Sequence, residues 1–454
     1  VKRLVGALAA FSLLSAAAMA ASSSSSWPLS YGSVAANRVQ TAGKGNFPVW
    51  RILTFPTVAP LAWIVALPPK RLAAIDAAGT FLLIEVREDG LRLLESREGL
   101  GSAHAPPVSI RLGGGVAGVA FISREGHLAL WEDGTLKLTD LGEPLSPLTH
   151  PVPIDVDGDG RDELLAIGRE GALLLVGGLP VAPRILSHLS IKALPDARVT
   201  VGDIDGDGVA EAVILTDPTE RYPHGILGDA VEASALTVVD VRAYGLAVKG
   251  KFVLPPRSVF EDLVPILADV DGDRRPEVVV VRSFVDRGAG VMVLGWREEK
   301  LIPVAEGAPF GRPHRWTNPL GVVDLDGDGI PELLTVNTPH IGGVLHAFHP
   351  RGGDLHSVAK IAGFTSHAIG SRNQDQALVA DLDGNGRPEV VIPRQSREAL
   401  AGLELDGGRF VERWSYQLHG TIMSNLVAAD LNGDGALDLA VADRKALHVL
   451  LSKP

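Results

Sequence analysis

The chain has 454 residues, no cysteine and a formal net charge of −12. Without cysteine there is neither a disulfide framework nor a lipid-attachment cysteine. The acidity, with no basic stripe and no basic amphipathic stretch, argues against nucleic acid or a membrane surface as partner.

In chain order, Val1-Lys2-Arg3, the apolar stretch from Leu4 to Ala17 and the small-residue site Ala18-Met19-Ala20 read as a secretory signal peptide over residues 1–20, cut before Ala21. Broken by Ser12 and Ser15, that stretch is short for a span needing about 20 apolar residues. No stable membrane insertion is expected after cleavage, and the mature chain is placed in the periplasm or outside the cell. Ser22 to Ser26 open a low-complexity linker over residues 21–46. Residues 47–454 read as a single domain. Its first strand candidate, Pro48 to Phe55, has no unit of its own. Arg71 to Asp76, Phe81 to Val86, Leu91 to Leu94 and Val108 to Leu112 alternate with glycine-containing turns and make one four-stranded unit. Val116 to Ile122, His127 to Trp131 and Leu136 to Thr139 begin a second.

From Asp155 onward a nine-residue acidic loop recurs six times, with starts 48, 66, 55, 57 and 49 residues apart. Side-chain oxygens stand at positions 1, 3, 5 and 9, glycine stands at position 4, and position 7 varies as it can if only its carbonyl is used. The first loop offers Asp155, Asp157, Asp159, Arg161 and Glu163; the second Asp203, Asp205, Asp207, Val209 and Glu211; the third Asp269, Asp271, Asp273, Arg275 and Glu277. The fourth offers Asp324, Asp326, Asp328, Ile330 and Glu332; the fifth Asp381, Asp383, Asn385, Arg387 and Glu389; the sixth Asp430, Asn432, Asp434, Ala436 and Asp438. Calcium takes six to eight oxygens at roughly 2.3–2.6 Å, and alternate residues of a curled loop supply them. A single Asp-Gly segment would serve equally well as a plain hairpin turn. Six copies with side-chain oxygens at four fixed positions, all carboxylates in the first four loops and three of four in the last two, would not, because a turn has no use for charges that repel one another when empty. An EF-hand would close on Glu at position 12, where these loops have Ala166, Ile214, Val280, Thr335, Ile392 and Val441. Short apolar runs flank each loop, so each is expected in the turn of a β-hairpin.

The repeat length suggests a propeller or an array of four-stranded units. The segments Asp-x-Asp-Gly-Asp-Gly-x-x-Glu between apolar strands resemble the FG-GAP/VCBS repeats of integrin-type β-propellers, over roughly residues 149–454. The expected fold is therefore all-β, a propeller of seven or eight four-stranded blades with eight favoured. Calcium loops are expected in the first hairpin of six blades, with about six structural calcium ions. After Asp430 there is room for only three strands, and a three-stranded blade would leave an open edge. The strand at Pro48 to Phe55 is expected to close it.

In a propeller the segments preceding each innermost strand lie on the face opposite the loops. In the last three blades these carry His314, Trp316 and Asn318, then His367, Arg372 and Asn373, then Trp414, His419 and Asn425. Trp316 and Trp414 could stack on a sugar or peptide while Arg372, Asn318 and Asn425 donate hydrogen bonds. The expected function is a secreted or periplasmic calcium-stabilised module that binds a polar ligand, polysaccharide or protein. The alternative is a polysaccharide lyase of the calcium-loop propeller type, which the resemblance allows and no catalytic motif supports.

Overall fold

The computed structural model of the protein describes residues 38–40, 42–113, 117–243 and 245–453. The expected leader over 1–20 and the linker up to residue 37 lie outside the described residues. Among the described residues, short apolar strands pair into eight antiparallel four-stranded units in chain order. The first holds Leu61–Leu67, Arg71–Asp76, Phe81–Arg87 and Gly90–Arg97; the second runs from Val108–Arg111 to Thr135–Thr139. The next five begin at Val152–Ile154, Thr200–Gly202, Ile266–Ala268, Thr317–Val323 and Leu378–Ala380. The eighth joins Val427–Ala429, Asp438–Ala442 and Ala446–Ser452 to the distant Trp50–Pro56. Units four to six are laced together by Ser258–Phe260 and by a single pairing of Glu306 with Asp354.

Within a unit the first strand is largely buried and the fourth is not, as in Val152–Ile154 against Arg184–Ser190 of the third unit. Neighbouring units press faces together. Apolar clusters join the first unit to the second, the second to the third, and so on around to the eighth, which packs Val427, Leu447 and Val449 against Leu61, Ile64 and Leu72 of the first. The core is thus a closed ring of side chains between sheets, and burial of its apolar area is the main stabilising term.

Two sequence expectations need correction. The innermost strand of the first unit is Leu61–Leu67, whereas Val108–Arg111 opens the second. Both faces of Leu61–Leu67 are covered, so the segment reads as a continuous apolar run without the alternation that marks a half-buried strand. The stretch around Arg38–Gln40, expected as linker, pairs in parallel with the innermost strand of the seventh unit, Val39 with Val379 and Gln40 with Ala380. The chain therefore enters along the ring axis, passes Gly45 and Phe47 against the fifth loop on the opposite face, where both amides donate to backbone carbonyls of that loop, and returns as the closing strand. That strand pairs antiparallel with Ala446–Ser452, from Trp50 opposite Ser452 to Pro56 opposite Ala446.

The inward residues of the closing strand are Leu53 and Phe55, which pack on the first unit, while Trp50 meets the nearby Phe47 and, on the seventh unit, Trp414 and Tyr416. Of Val49, Ile52 and Phe55, the anchors the sequence suggests, Val49 is 52% and Ile52 45% exposed, against 6% for Leu53. Leu53→Ala should cost about 2–4 kcal/mol, and Ile52→Ala less than about 0.5 kcal/mol. Urea unfolding of the two variants decides it; equal losses would contradict this register.

Candidate functional site

Each acidic loop links the first and second strands of its unit, and the six share one register. The residue before position 1 pairs with the position 9 acid: Ile154 with Glu163, Gly202 with Glu211, Ala268 with Glu277, Val323 with Glu332, Ala380 with Glu389 and Ala429 with Asp438. The loop interior repeats as closely. Both oxygens of the position 1 aspartate accept backbone N–H groups, from position 4 at 2.6–2.8 Å and from position 6 at 2.9–3.0 Å. The position 3 and position 5 side chains each accept the N–H two residues on, as in Asp159 N to Asp157 Oδ1 and Arg161 N to Asp159 Oδ1. Position 2 is always apolar, and Ile204, Val270, Leu325, Leu382 and Leu431 are buried. Its N–H donates to the position 9 carboxylate, for example Leu325 to Glu332 at 2.8 Å.

The position 9 acids Glu211, Glu277, Glu332, Glu389 and Asp438 are fully buried. Burial, with the neighbouring loop carboxylates adding to it, pushes all six upward in pKa, Glu389 and Asp438 to about 7. Carboxyl oxygens of Asp155, Asp157 and Glu163, and likewise of Asp324, Asp326 and Glu332, lie within 4.8 Å of one another. A compact, partly desolvated set of oxygen donors without sulfur, with, among the described residues, only Arg111 at 3.8 Å from Asp155 nearby in the first loop, suits a hard cation.

In five of the six units the outward oxygen of the position 9 acid meets a group of its own. Lys249 Nζ stands 2.8 Å from Glu211, Arg297 Nη2 3.0 Å from Glu277, His349 Nε2 2.5 Å from Glu332, Trp414 Nε1 3.0 Å from Glu389, and the Ser452 N–H 2.8 Å from Asp438. Burial opposes the charge on Lys249, but hydrogen bonds to Asp205, Glu211 and Asp240 outweigh it and hold the ammonium above the ordinary lysine value. Burial likewise opposes ionisation of Asp205, and the Lys249 hydrogen bond keeps that carboxyl low. Sequence reasoning missed these partners, which come from strands 14 to 38 residues away with no motif of their own.

On the opposite face the expected ligand-binding residues are mostly internal. Trp316 is 1% exposed and donates Nε1 to the Glu261 carbonyl. Trp414 is 4% exposed and belongs to the fifth loop instead. Neither can stack on a ligand as expected from sequence. Asn318 donates to Ser366 and the Gln374 carbonyl. Asn425 pins the eighth unit to the first through both the N–H and the carbonyl of Ile64. Asn373 is buried, and its Oδ1 accepts the Asp375 N–H. Arg372 is clamped by Asp196 at 2.9 Å and Asp229 at 2.6 Å. His314, exposed, stacks on Tyr222, and His419, also exposed, leans on His448.

The axis at this end is filled with charge. Arg38 pairs with Asp375 and donates to the Pro319 carbonyl, Arg198 stands 3.6 Å from Asp375 and over the ring of Trp63, and Gln374 donates to Asp262. Burial lowers Arg38 to about 10 and Arg198 to about 9, and raises Asp262 and Asp375. Beside this network His367 donates Nε2–H to the Ser371 carbonyl and accepts at Nδ1 from His340 Nε2 at 2.8 Å, which fixes His367 as a neutral tautomer.

The family model described as an FG-GAP-like repeat matches residues 324–392 and 381–441, which hold the fourth, fifth and sixth loops. Among solved structures the chain is similar to one titled "Structure of Dos1 propeller", with 11% identity over 89% of this chain and 94% of that one and a TM-score of 0.55. That likeness concerns the fold. No curated protein matches the sequence. With eight radial units, a recurring first-hairpin loop and these two likenesses, the chain is a β-propeller. Its repeats over residues 324–441 match the FG-GAP-like model.

Two measurements follow from this geometry. Arg274, at position 6 of the third loop, has φ +70° where its siblings are glycines, and still donates its N–H to Asp269. Arg274→Gly should stabilise the protein by about 1 kcal/mol in denaturant melts; no gain would mean that the arginine side chain offsets the strain. Burial, aided by neighbouring positive charge, holds His340 near about 4 and His367 near about 3. Folded values below the unfolded 6.5 mean that this contribution is complete above that pH and is lost as pH falls toward about 4. The stability of His367→Gln relative to wild type should therefore improve between pH 7.5 and 4.5, and parallel pH profiles would refute the assignment.

Proposed function

We propose that the protein is an exported, calcium-stabilised β-propeller that serves as an interaction module, with a protein as its partner. The observation that carries the calcium reading is the position 9 acid, recurring in one register in six loops, buried in five of them and surrounded by further oxygens. Oxygen-only donors at this spacing fit calcium, and the first, fourth, fifth and sixth loops would hold it through positions 1, 3, 5 and 9 with the position 7 carbonyl. Bound there, the ion would supply positive charge at the centre of the carboxylates and tie the end of each first strand to the start of the second. The leader-like residues 1–20 are the support for export.

A protein partner fits the opposite face better than a glycan. The two tryptophans that would have stacked on sugar are buried, and the same face instead presents Ile341, 65% exposed, and Ile369, 72% exposed, on the loops that carry His340 and His367. Exposed aliphatic side chains beside polar loops are what protein contacts bury.

Calcium that binds only the folded chain adds stability by mass action, about 2.7 kcal/mol per site at a hundredfold excess over the dissociation constant. Thermal melts in millimolar calcium should therefore run well above melts in excess chelator; coincident curves would sink the calcium reading.

A further inference from the structure

We propose that the second and third loops carry their own cation and take no metal ion, so that the six loops fall into two classes. This rests on the calcium reading of the other loops.

In the second loop the Lys249 ammonium stands among positions 3, 5 and 9. It is paired with Asp205, lies 3.8 Å from Asp207 Oδ2 and 2.8 Å from Glu211 Oε1, and reaches Asp240 Oδ1 at 3.2 Å. In the third loop Arg297 Nη2 lies 3.0 Å from Asp271 Oδ2, 3.3 Å from Asp273 Oδ2 and 3.0 Å from Glu277 Oε1. Positions 3, 5 and 9 are the three side chains a calcium ion would need in addition to position 1. An ion bound at roughly 2.3–2.6 Å from those oxygens would share its space with the nitrogen. Two cations at that separation repel, so ion and side chain exclude each other.

The two side chains reach equivalent points by different routes, which argues against an accident of one strand. Lys249 is the extra residue of a β-bulge in the outermost strand, between the pairs Val239 with Val248 and Val238 with Gly250. Bulges re-aim side chains. The residues at the matching bulges of the third, fifth and sixth units are Leu186, Val304 and Val358, which carry no charge, and Arg413 of the seventh turns to Glu404 and Asp406. Arg297 instead ends a third strand, two residues beyond Gly295. In the fifth and sixth loops the position 9 acid meets an indole N–H and a backbone N–H, and in the fourth it meets the His349 imidazole, whose nitrogen lies within 4.8 Å of carboxyl oxygens of Asp328 and Glu332 and can itself serve as a metal ligand. The third loop is further committed by Arg275, which pairs with Asp273 Oδ2 at 2.7 Å.

The test is the number of calcium ions held by the full chain, measured by equilibrium dialysis and elemental analysis at saturating calcium. About four are expected in the wild type, about one more in each of Lys249→Met and Arg297→Met, and about six in the double variant. In chelator each methionine variant should melt below the wild type, with added calcium closing the gap. Should a methionine variant not fold, the wild-type count and the charge-keeping Lys249→Arg and Arg297→Lys variants, expected to hold the same number as wild type, decide the matter. Six ions in the wild type, or an unchanged count in folded methionine variants, overturns the proposal and leaves the calcium reading standing. No bound calcium in any of these proteins overturns both.

Discussion

Six of the eight first hairpins are organised around a carboxylate placed where burial opposes its ionisation. Its inner oxygen accepts the position 2 N–H, and the apolar side chain of that same residue is sunk between neighbouring sheets, so the charge and the core anchor cannot be separated. Moving the acid outward would pull the anchor with it. A buried anion left without compensation costs several kcal/mol, and the remedy has to be supplied at the same point in every one of these units. Where each unit finds its positive charge or its hydrogen bond therefore governs how firmly its innermost strand is held.

On the reading proposed above there are two remedies with different dependence on surroundings. A side-chain cation is present at unit effective occupancy whatever the medium, and costs only the ordering of one lysine or arginine. A bound ion contributes in proportion to the logarithm of its concentration. Units four and five, which carry Lys249 and Arg297, are also those laced together by Ser258–Phe260. The ring thus has a sector whose integrity is written into covalent structure, flanked by sectors whose integrity is borrowed from solution.

Much of this is legible in the sequence because the loops repeat: fixed offsets of acid and glycine define the register that the pairing of Ile154 with Glu163 and its five counterparts displays. The closing strand is legible from a deficit, since an unpaired edge at the eighth unit calls for a fourth strand. Three kinds of information were not. Leu61–Leu67 has no alternation because both of its faces are covered. The polar stretches around Trp316 and Arg372 look like solvated loops by composition, yet they form an internal network, and only the partners Glu261, Asp196 and Asp229, distant in sequence, distinguish the two. Lys249 and Arg297 are unremarkable strand residues until a bulge and a strand end deliver them to loops many residues upstream.

The pairing of Trp50 with Ser452 spans almost the whole chain, and it orders events in time. The residues that close the ring leave the ribosome first and find their partner last, so for most of synthesis the strand that will seal the eighth unit has nothing to seal. Such distant contacts form slowly, because they gain nothing until everything between has been arranged. They are also slow to undo, since opening the ring means peeling Leu53 and Phe55 off the first unit and withdrawing Arg38 from the axis together. The molecule is built less like a stack of separable repeats than like a bracelet fastened by one clasp.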